Sequence, residues 1–244
     1  MPLFLITLLL QIGFVVHVVK TGRNTIWIWI VVLLPLVGFI SYVVVEILPE
    51  FLASRTGRKA SRAVGTLVNP HKDLNAALKS YEMSATVQNA MTLAEQYLAK
   101  QNFAEAKALY LQSLTGMHKT DPYLMFGLAK AEFGLAEHQR CKSTLDNLIQ
   151  LNPEFKNEDA HLLYAKTLEA LAEFAAALHE YEVLANYYVG PEAKCRYALL
   201  CKKMGKQALA DKLFKEILAL ANLSGKHYNN LHKEWISCAR EESR

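Results

Sequence analysis

Four successive segments of this chain carry the same arrangement of small and large side chains. One small residue of the arrangement recurs with spacings of 35, 36 and 33 residues, and it is found at Ala106, Cys141, Ala177 and Ala210. A second small residue follows a large one earlier in each segment, at Ala94, Ala129, Ala165 and Ala198. Ala, Leu, Lys and Glu dominate from about Val87 onwards, without the alternation that is typical of strands. The spacing therefore predicts a stack of similar helix pairs.

This period and pattern resemble the tetratricopeptide repeat, a helix–turn–helix unit of about 34 residues. The resemblance covers four repeats over roughly 87–220. Two departures from the family pattern stand out. Only the last of the four turn positions carries the usual Gly, and Glu132 occupies a position where repeat two would normally have an aromatic residue or leucine. The four turn positions are Gln101, Ala136, Ala172 and Gly205.

The predicted array extends over residues 73–224 once a short helix over Asp73–Met83 is added before the repeats. The last repeat of a solenoid needs a cover for its exposed apolar side. Residues 225–244 carry apolar side chains three or four positions apart, as expected for one capping helix. These side chains are Tyr228, Leu231, Trp235, Ile236 and Ala239.

Two long apolar runs precede the repeats. Pro2–Val19 has 18 residues and Ile26–Leu48 has 23, and the second run carries a single charge, Glu46. At about 1.5 Å per residue, each run can cross roughly 30 Å of hydrocarbon as a helix. We therefore expect a transmembrane helical hairpin over residues 1–50, which explains why 52% of the whole chain is hydrophobic. The expected fold is all-α, with the hairpin followed by the solenoid and its cap.

The second run contains the spacing W-x7-P-x2-G-x3-Y, formed by Trp27, Pro35, Gly38 and Tyr42. This spacing resembles the N-terminal hairpin of phospholipase D-type cardiolipin synthases. Those enzymes would carry two catalytic H-x-K-x4-D motifs further along, and this chain has no H-x-K. The sequence His71-Lys72-Asp73 has the same letters without the spacing. The resemblance therefore covers the anchor and does not extend to the enzyme.

Basic residues flank the hairpin unevenly. The turn between the runs carries Lys20 and Arg23, and the linker over residues 51–72 carries four basic residues close to the membrane. This difference favours a two-span protein of the bacterial cytoplasmic (inner) membrane, with the array on the cytoplasmic side. The same four residues either hold the linker on anionic lipid, at about 1 kcal/mol each, or only set the topology. They are Arg55, Arg58, Lys59 and Arg62.

No catalytic, metal or cofactor motif is present in the sequence. The four Cys residues include no C-x-x-C pair, which disfavours a zinc site and favours buried, reduced thiols. The eight His residues include no H-E-x-x-H, and there is no phosphate-binding or dinucleotide-binding glycine pattern. A net charge of +4 without a basic stripe gives no reason to expect nucleic acid as a partner. We therefore expect a protein that is not an enzyme.

What remains is a surface on which a partner can bind. The tetratricopeptide resemblance implies that the first helix of each repeat lines a concave groove, aromatic at one end and basic at the other. Such a groove would suit an acidic protein or peptide segment, either extended or helical. The alternative is that its lysines form an ordinary solvated helix face. The groove residues are Met91, Glu95, Leu98, Tyr123, Phe126, Lys130, Phe133, Leu162, Lys166, Glu169, Leu199, Lys202 and Lys203, with Arg196 beside them.

These features together favour a membrane-anchored protein–protein interaction scaffold, with lipid contacts made through residues 1–62. An alternative is an accessory subunit or assembly factor of a membrane enzyme or of an envelope or secretion machine. A lipid-metabolising enzyme is the least favoured class because the H-x-K motif is missing. Self-association through the arrays is a further alternative that the sequence leaves open.

Overall fold

The computed structural model describes residues 71–243, together with isolated positions nearer the N-terminus at Val16, Val18, Lys20, Ile26, Ile30, Ser41 and Val45. The chain divides into two units, Met1–Lys72 and Asp73–Arg244. Apart from the isolated positions, the predicted hairpin over residues 1–50 lies outside the described residues. The predicted membrane-surface residues Arg55, Arg58, Lys59 and Arg62 lie outside them as well. Among the helices that the structure does describe, none combines the length and the hydropathy needed to cross a bilayer.

Residues 71–243 contain only helices, turns and loops, which confirms the all-α prediction for this part of the chain. A lead-in helix comes first, and four helix pairs and two short C-terminal helices follow. The helices are α1 (Lys72–Met83), α2 (Val87–Ala99), α3 (Phe103–Ser113), α4 (Pro122–Gly134), α5 (His138–Leu151), α6 (Glu158–Ala170), α7 (Phe174–Leu184), α8 (Glu192–Lys203), α9 (Gln207–Leu223), α10 (Lys226–Leu231) and α11 (Lys233–Glu242).

The helices from α2 to α9 form four hairpins that stack in chain order. Each even-numbered helix from α2 to α8 packs against the helix that follows it, and each pair then packs against the next pair. Helix α2 also contacts α4, and α4 contacts α6, so these first helices lie side by side. This is the solenoid arrangement that the repeat period predicts, since each pair completes its core against a neighbour.

The recurring small residues lie where the helices touch. Both small positions, eight side chains in all, have an exposed fraction of 0%. Four residues after each small position of the second helix comes a large side chain that is at most 1% exposed, which fills the space between neighbouring helices. Burying one such side chain contributes about 1.5–3 kcal/mol. These large residues are Tyr110, Leu145, Tyr181 and Phe214.

All four turns inside the pairs end in the same way. The second residue after each first helix has a positive φ, with values of 62° at Gln101, 58° at Ala136, 59° at Ala172 and 74° at Gly205. Its N–H bonds back three residues, and the next N–H bonds back five, as in Asn102 N to Tyr97 O at 2.9 Å. This is the Schellman motif, which normally uses glycine. The structure thus keeps the glycine conformation at three turns that lack glycine.

The departure at Glu132 in repeat two is accommodated by a polar contact. Its side chain is 5% exposed, and Thr144 Oγ1 on α5 donates a hydrogen bond to its carboxylate at 2.7 Å. Burial raises the pKa of Glu132 above its ordinary value of 4.5, although the Thr144 hydrogen bond acts in the opposite direction. Repeat two therefore buries an acid at the position where repeats three and four bury Leu168 and Cys201 and repeat one has the half-buried Tyr97.

The C-terminal cap differs from the single helix that the sequence predicts. The helix is interrupted at His232, which separates α10 from α11. Helix α11 is the one that packs on α8 and α9. Ile236 and Ala239 are buried against the last repeat, whereas Leu231 is 69% exposed. The spacing of apolar residues through Leu231 predicts one continuous apolar stripe. The helix is interrupted at His232, however, and Leu231 is not part of the surface that packs on the last repeat.

Candidate functional site

Side-chain caps fix the start of three first helices, and these helices carry the candidate binding face. Thr86 accepts a hydrogen bond from Asn89 N at 3.2 Å, Asp121 accepts one from Tyr123 N at 2.9 Å, and Asn157 accepts one from Ala160 N at 2.9 Å. Such caps satisfy backbone donors that the first turn of a helix leaves free. Helices α2, α4 and α6 lie side by side, and we call their exposed and half-buried side chains the first-helix face, which includes Met91, Glu95, Leu98, Tyr123, Lys130, Phe133 and Lys166.

Two depressions lie on this face between α2 and α4. One, of about 450 Å³, is lined by Met91 and Tyr123 together with Thr86, Val87, Gln88, His118, Asp121 and Leu124. The other, of about 370 Å³, is lined by Glu95, Leu98 and Lys130 together with Ala99 and Phe103. Five of the residues selected from sequence therefore surround two neighbouring concave sites. Tyr123 is 62% exposed, and its ring packs edge-on against Phe155 at 5.4 Å.

Two lysines of the face lie over aromatic rings. Lys130 Nζ is 4.5 Å from the centre of the Phe126 ring, and Lys166 Nζ is 5.1 Å from that of Phe133. Within residues 71–243, neither lysine makes an ion pair with a carboxylate. Both contacts are made by aromatic residues of α4, in the part of the groove that the sequence predicts to be aromatic.

Lys166 occupies the middle of the array, in an environment unfavourable to its charge. Burial lowers its pKa below the ordinary value of 10.5, and the nearby Arg196 guanidinium lowers it further. Glu192 and Glu169 act in the opposite direction, but both have other partners. Glu192 accepts a hydrogen bond from Arg196 Nε at 2.8 Å, and Glu169 accepts one from the Tyr181 hydroxyl at 2.9 Å.

The C-terminal helix engages the basic end of the predicted groove. Lys202 Nζ donates to Glu242 on α11 at 2.8 Å, and the Arg196 guanidinium lies 4.7 Å from the centre of the Trp235 ring. Lys203 Nζ lies 4.2 Å from the ring of Phe174, which is on the second helix of the preceding pair. Lys202 of repeat four therefore has a carboxylate partner, whereas Lys203, like Lys130 and Lys166, lies over an aromatic ring.

The predicted groove residues of α4, α6 and α8 differ in how much surface they offer to a partner. Phe126, Lys130, Phe133 and Lys166 come together on α4 and α6, with Arg196 close to Lys166. Leu162 is 6% exposed and belongs to the core, so it offers no surface to a partner. Leu199 is half-buried and packs against the same core. Sequence reasoning missed the Arg196–Trp235 contact, because Trp235 lies in the cap and outside the repeat pattern.

The cysteine side chains of this region contribute to the core. All four are free thiols, and three of them are buried. Burial raises the pKa of Cys141 to about 11, and its Sγ contacts Thr167 Oγ1 at 3.3 Å. Within the described part of the chain, no group of three or more His, Cys, Asp or Glu side chains is placed to hold a metal ion.

Several solved structures share this architecture. MamA superposes with a TM-score of 0.51 at 21% identity, over 60% of this chain and 85% of that one. TTC0263, a thermophilic tetratricopeptide-repeat protein of Thermus thermophilus, gives 0.53 at 16% identity, over 74% and 95%. YrrB, a tetratricopeptide-repeat protein with an unusual peptide-binding site, gives 0.50 at 13% identity, over 70% and 91%. No protein-family model matches the sequence, and no curated protein matches it. At these identities the likeness establishes the fold, which is that of a tetratricopeptide-repeat solenoid.

Proposed function

We propose that this protein is an interaction scaffold whose first-helix face binds an acidic segment of a partner protein. The observation that carries the proposal is the pair Lys130 and Lys166, each held over an aromatic ring without a carboxylate partner. An acidic side chain that reached Lys166 would offset the unfavourable effects of burial and of Arg196 on its charge. The half-buried ring of Phe133 would at the same time provide apolar contact for a neighbouring side chain of the segment.

The two depressions between α2 and α4 support this mode of binding. They open beside Lys130 and Tyr123, so a segment lying along the face can place successive side chains in them. Peptide binding is also named for YrrB, a protein of the same fold. The proposal for this chain nevertheless depends on its own lysine and phenylalanine contacts, since the sequences share only 13% identity.

Membrane anchoring through residues 1–50 is the second part of the proposal. Its support is the pair of apolar runs, of 18 and 23 residues, and the basic residues after them. Confinement at a bilayer raises the effective concentration of the array for partners in the same membrane. Extraction of isolated membranes with alkaline carbonate tests the anchor, because an integral protein stays in the pellet. A reporter domain fused after Arg244 tests the expected cytoplasmic orientation of the array.

Site-specific photocrosslinking in intact membranes tests the binding face directly. A photoreactive amino acid is placed at Tyr123 on the first-helix face, which is 62% exposed. The matched control places it at Lys215, an exposed position on the second helix of the last pair. We expect a discrete protein adduct from position 123 that is absent from position 215. The same adducts at both positions, or none at position 123, would contradict the assignment of the face.

A further inference from the structure

A large open cavity, which shares no lining residue with the two depressions of the first-helix face, lies where α5, α6 and α7 meet. Its volume is about 1210 Å³. Its walls are the C-terminal half of α5, the loop 152–157, the first turns of α6 and the segment that follows α7. Cavities of several hundred cubic ångströms are the size class that ligands and partner side chains occupy.

Four carboxylates line this cavity or its rim, and none of them forms an ion pair with a lysine or arginine of residues 71–243. Asp146 accepts a hydrogen bond from the Tyr164 hydroxyl at 2.8 Å, and Glu158 accepts one from Val189 N at 2.9 Å. The other two carboxylates are Asp159, bonded to the Tyr188 hydroxyl at 3.2 Å, and Glu180, 2.6 Å from His161 Nε2.

The electrostatic effect of this arrangement is visible in a neighbouring tyrosine. Burial raises the pKa of Tyr187 above 10.0, and Glu158 and Glu180 raise it further. Because hydrogen bonds from hydroxyl and amide donors leave the carboxylate charge in place, the cavity keeps a net negative charge. Lys156 is the one lysine or arginine among the described residues that line it.

The cavity has an apolar part as well as its four carboxylates. Leu145 and Leu148 lie beneath its surface and are at most 2% exposed, and the half-buried Phe155 is accessible beside them. At the opening, Ile149 is 57% exposed and Tyr187 is 50% exposed. A ligand that matches both parts must combine positive charge with an apolar side chain.

We infer that this cavity is a second protein-docking site, which takes a basic segment bearing an aromatic or long aliphatic side chain. The apolar anchor packs against the exposed side chain of Ile149 and the ring of Phe155, and lysine or arginine side chains meet the four carboxylates. The charge of this site is opposite to that proposed for the first-helix face. The two sites share no lining residue, although Phe155 at the cavity packs against Tyr123 of the first-helix face.

The test uses the full-length protein in mild detergent and a fluorescent peptide of alternating lysine and leucine with one tryptophan. Fluorescence anisotropy measures its affinity, and an uncharged peptide with glutamine in place of lysine is the charge control. The test variant is Asp146→Asn/Asp159→Asn, which removes two charges and keeps the hydrogen-bond acceptors. The matched control is Glu82→Gln/Glu241→Gln, which removes two charges at exposed positions outside the cavity.

We expect the test variant to bind the basic peptide about tenfold more weakly than the wild type and the matched control. Lys156→Glu adds a negative charge at the cavity and should bind the peptide more tightly. This variant changes affinity in the opposite direction, so a general loss of structure cannot imitate its effect.

Two results would overturn the inference. One is equal affinity of the test variant and the matched control, or equal affinity of the wild type for the lysine and glutamine peptides. The other is that the cavity holds a second copy of the chain. In that case the basic peptide would fail to bind, and sedimentation velocity would show a wild-type dimer that Asp146→Asn/Asp159→Asn dissociates.

Discussion

Among individual residues, the four turn positions show most clearly how backbone geometry constrains this chain. Gln101, Ala136 and Ala172 adopt the left-handed conformation that Gly205 adopts at the equivalent place. A side chain in this conformation costs roughly 1–2 kcal/mol, because Cβ comes too close to the following carbonyl oxygen. The hydrogen bonds of the Schellman motif and the packing of both helices hold these residues there.

Replacing the two alanine turn residues by glycine should therefore stabilise the array. We expect Ala136→Gly and Ala172→Gly each to raise the free energy of unfolding by about 0.5–1 kcal/mol, measured by thermal denaturation with circular dichroism. Gly205→Ala should lower it by about 1 kcal/mol, through backbone strain alone, since no atom lies within 4 Å of the added Cβ.

The control for these turn variants is Ala219→Gly, at an exposed position inside α9. Glycine within a helix costs about 1 kcal/mol relative to alanine, so this variant should melt at a lower temperature. If Ala136→Gly destabilised the protein as much as Ala219→Gly does, the left-handed strain would be absent.

The buried acid in repeat two gives the array a pH dependence with a defined sign. Because burial raises the pKa of Glu132 in the folded protein, its contribution to stability is fully present below pH 4.5 and is lost as the pH rises through the raised pKa. Glu132→Gln keeps an acceptor for Thr144 without the charge. We expect it to raise the melting temperature at neutral pH, with the difference shrinking as the pH approaches 4.5.

Glu137 provides a comparison of opposite sign. A hydrogen bond from Lys107 is the main cause that lowers its pKa below 4.5. Its contribution is therefore present at neutral pH and is lost as the pH falls through the lowered pKa. Glu137→Gln should reduce the melting temperature at neutral pH and lose its effect in acid. If the melting temperatures of the two variants, relative to the wild type, changed with pH in the same direction, burial of Glu132 and the Lys107 hydrogen bond to Glu137 would not be the causes of the two pKa shifts.

Among the helices, the stacking of repeat two on repeat one depends on a close approach between Tyr110 of α3 and Gly127 of α4. A Cβ added at Gly127 would lie 2.3 Å from two ring atoms of Tyr110, which is 1% exposed and cannot move into solvent. The absence of a side chain at this position of α4 therefore allows the tyrosine of repeat one to fill the inter-repeat space. The same relation recurs where Phe103 packs against Gly134.

We expect Gly127→Ala to lower the free energy of unfolding by about 1–3 kcal/mol, because the ring must shift in a closely packed core. Gly225→Ala is the control, since no atom lies within 4 Å of its added Cβ and its φ is −75°. Adding Tyr110→Leu should relieve the clash, so that the double variant loses less stability than the sum of the two single variants. Simple additivity would show that the two side chains do not compete for space.

The sequence predicts the helix pairs better than their ends. The period placed Ala106 and Ala177 in the helix contacts, because a stacked pair tolerates only a small side chain there. The break at His232 was not predicted, since the apolar spacing through Leu231 and Trp235 continues across it. The positive φ at Ala136 could not be foreseen from its residue type, because alanine ordinarily favours the helix.

Across the whole molecule, the sequence predicts which helices carry the candidate site, but it does not predict which contacts their side chains make. The family resemblance pointed to the exposed positions of the first helices, and Lys130 and Lys166 do share a face. The engagement of Lys202 and Arg196 by α11 depends on contacts with a helix outside the repeats, about which the period says nothing. The acidic cavity was not predicted because its carboxylates lie outside the small and large positions of the repeat pattern, on three consecutive helices whose packing the period does not specify.

The central claim is that Lys130 and Lys166 recruit an acidic segment to the first-helix face. The most direct measurement is the affinity of the full-length protein for a fluorescent peptide of alternating glutamate and leucine with one tyrosine. We expect Lys130→Glu/Lys166→Glu to bind about tenfold more weakly or worse, because reversed charges repel the peptide. Lys212→Glu/Lys215→Glu, which makes the same charge change at exposed positions of α9, should bind as the wild type does. Equal affinities for the two double variants, at unchanged helicity, would contradict the account.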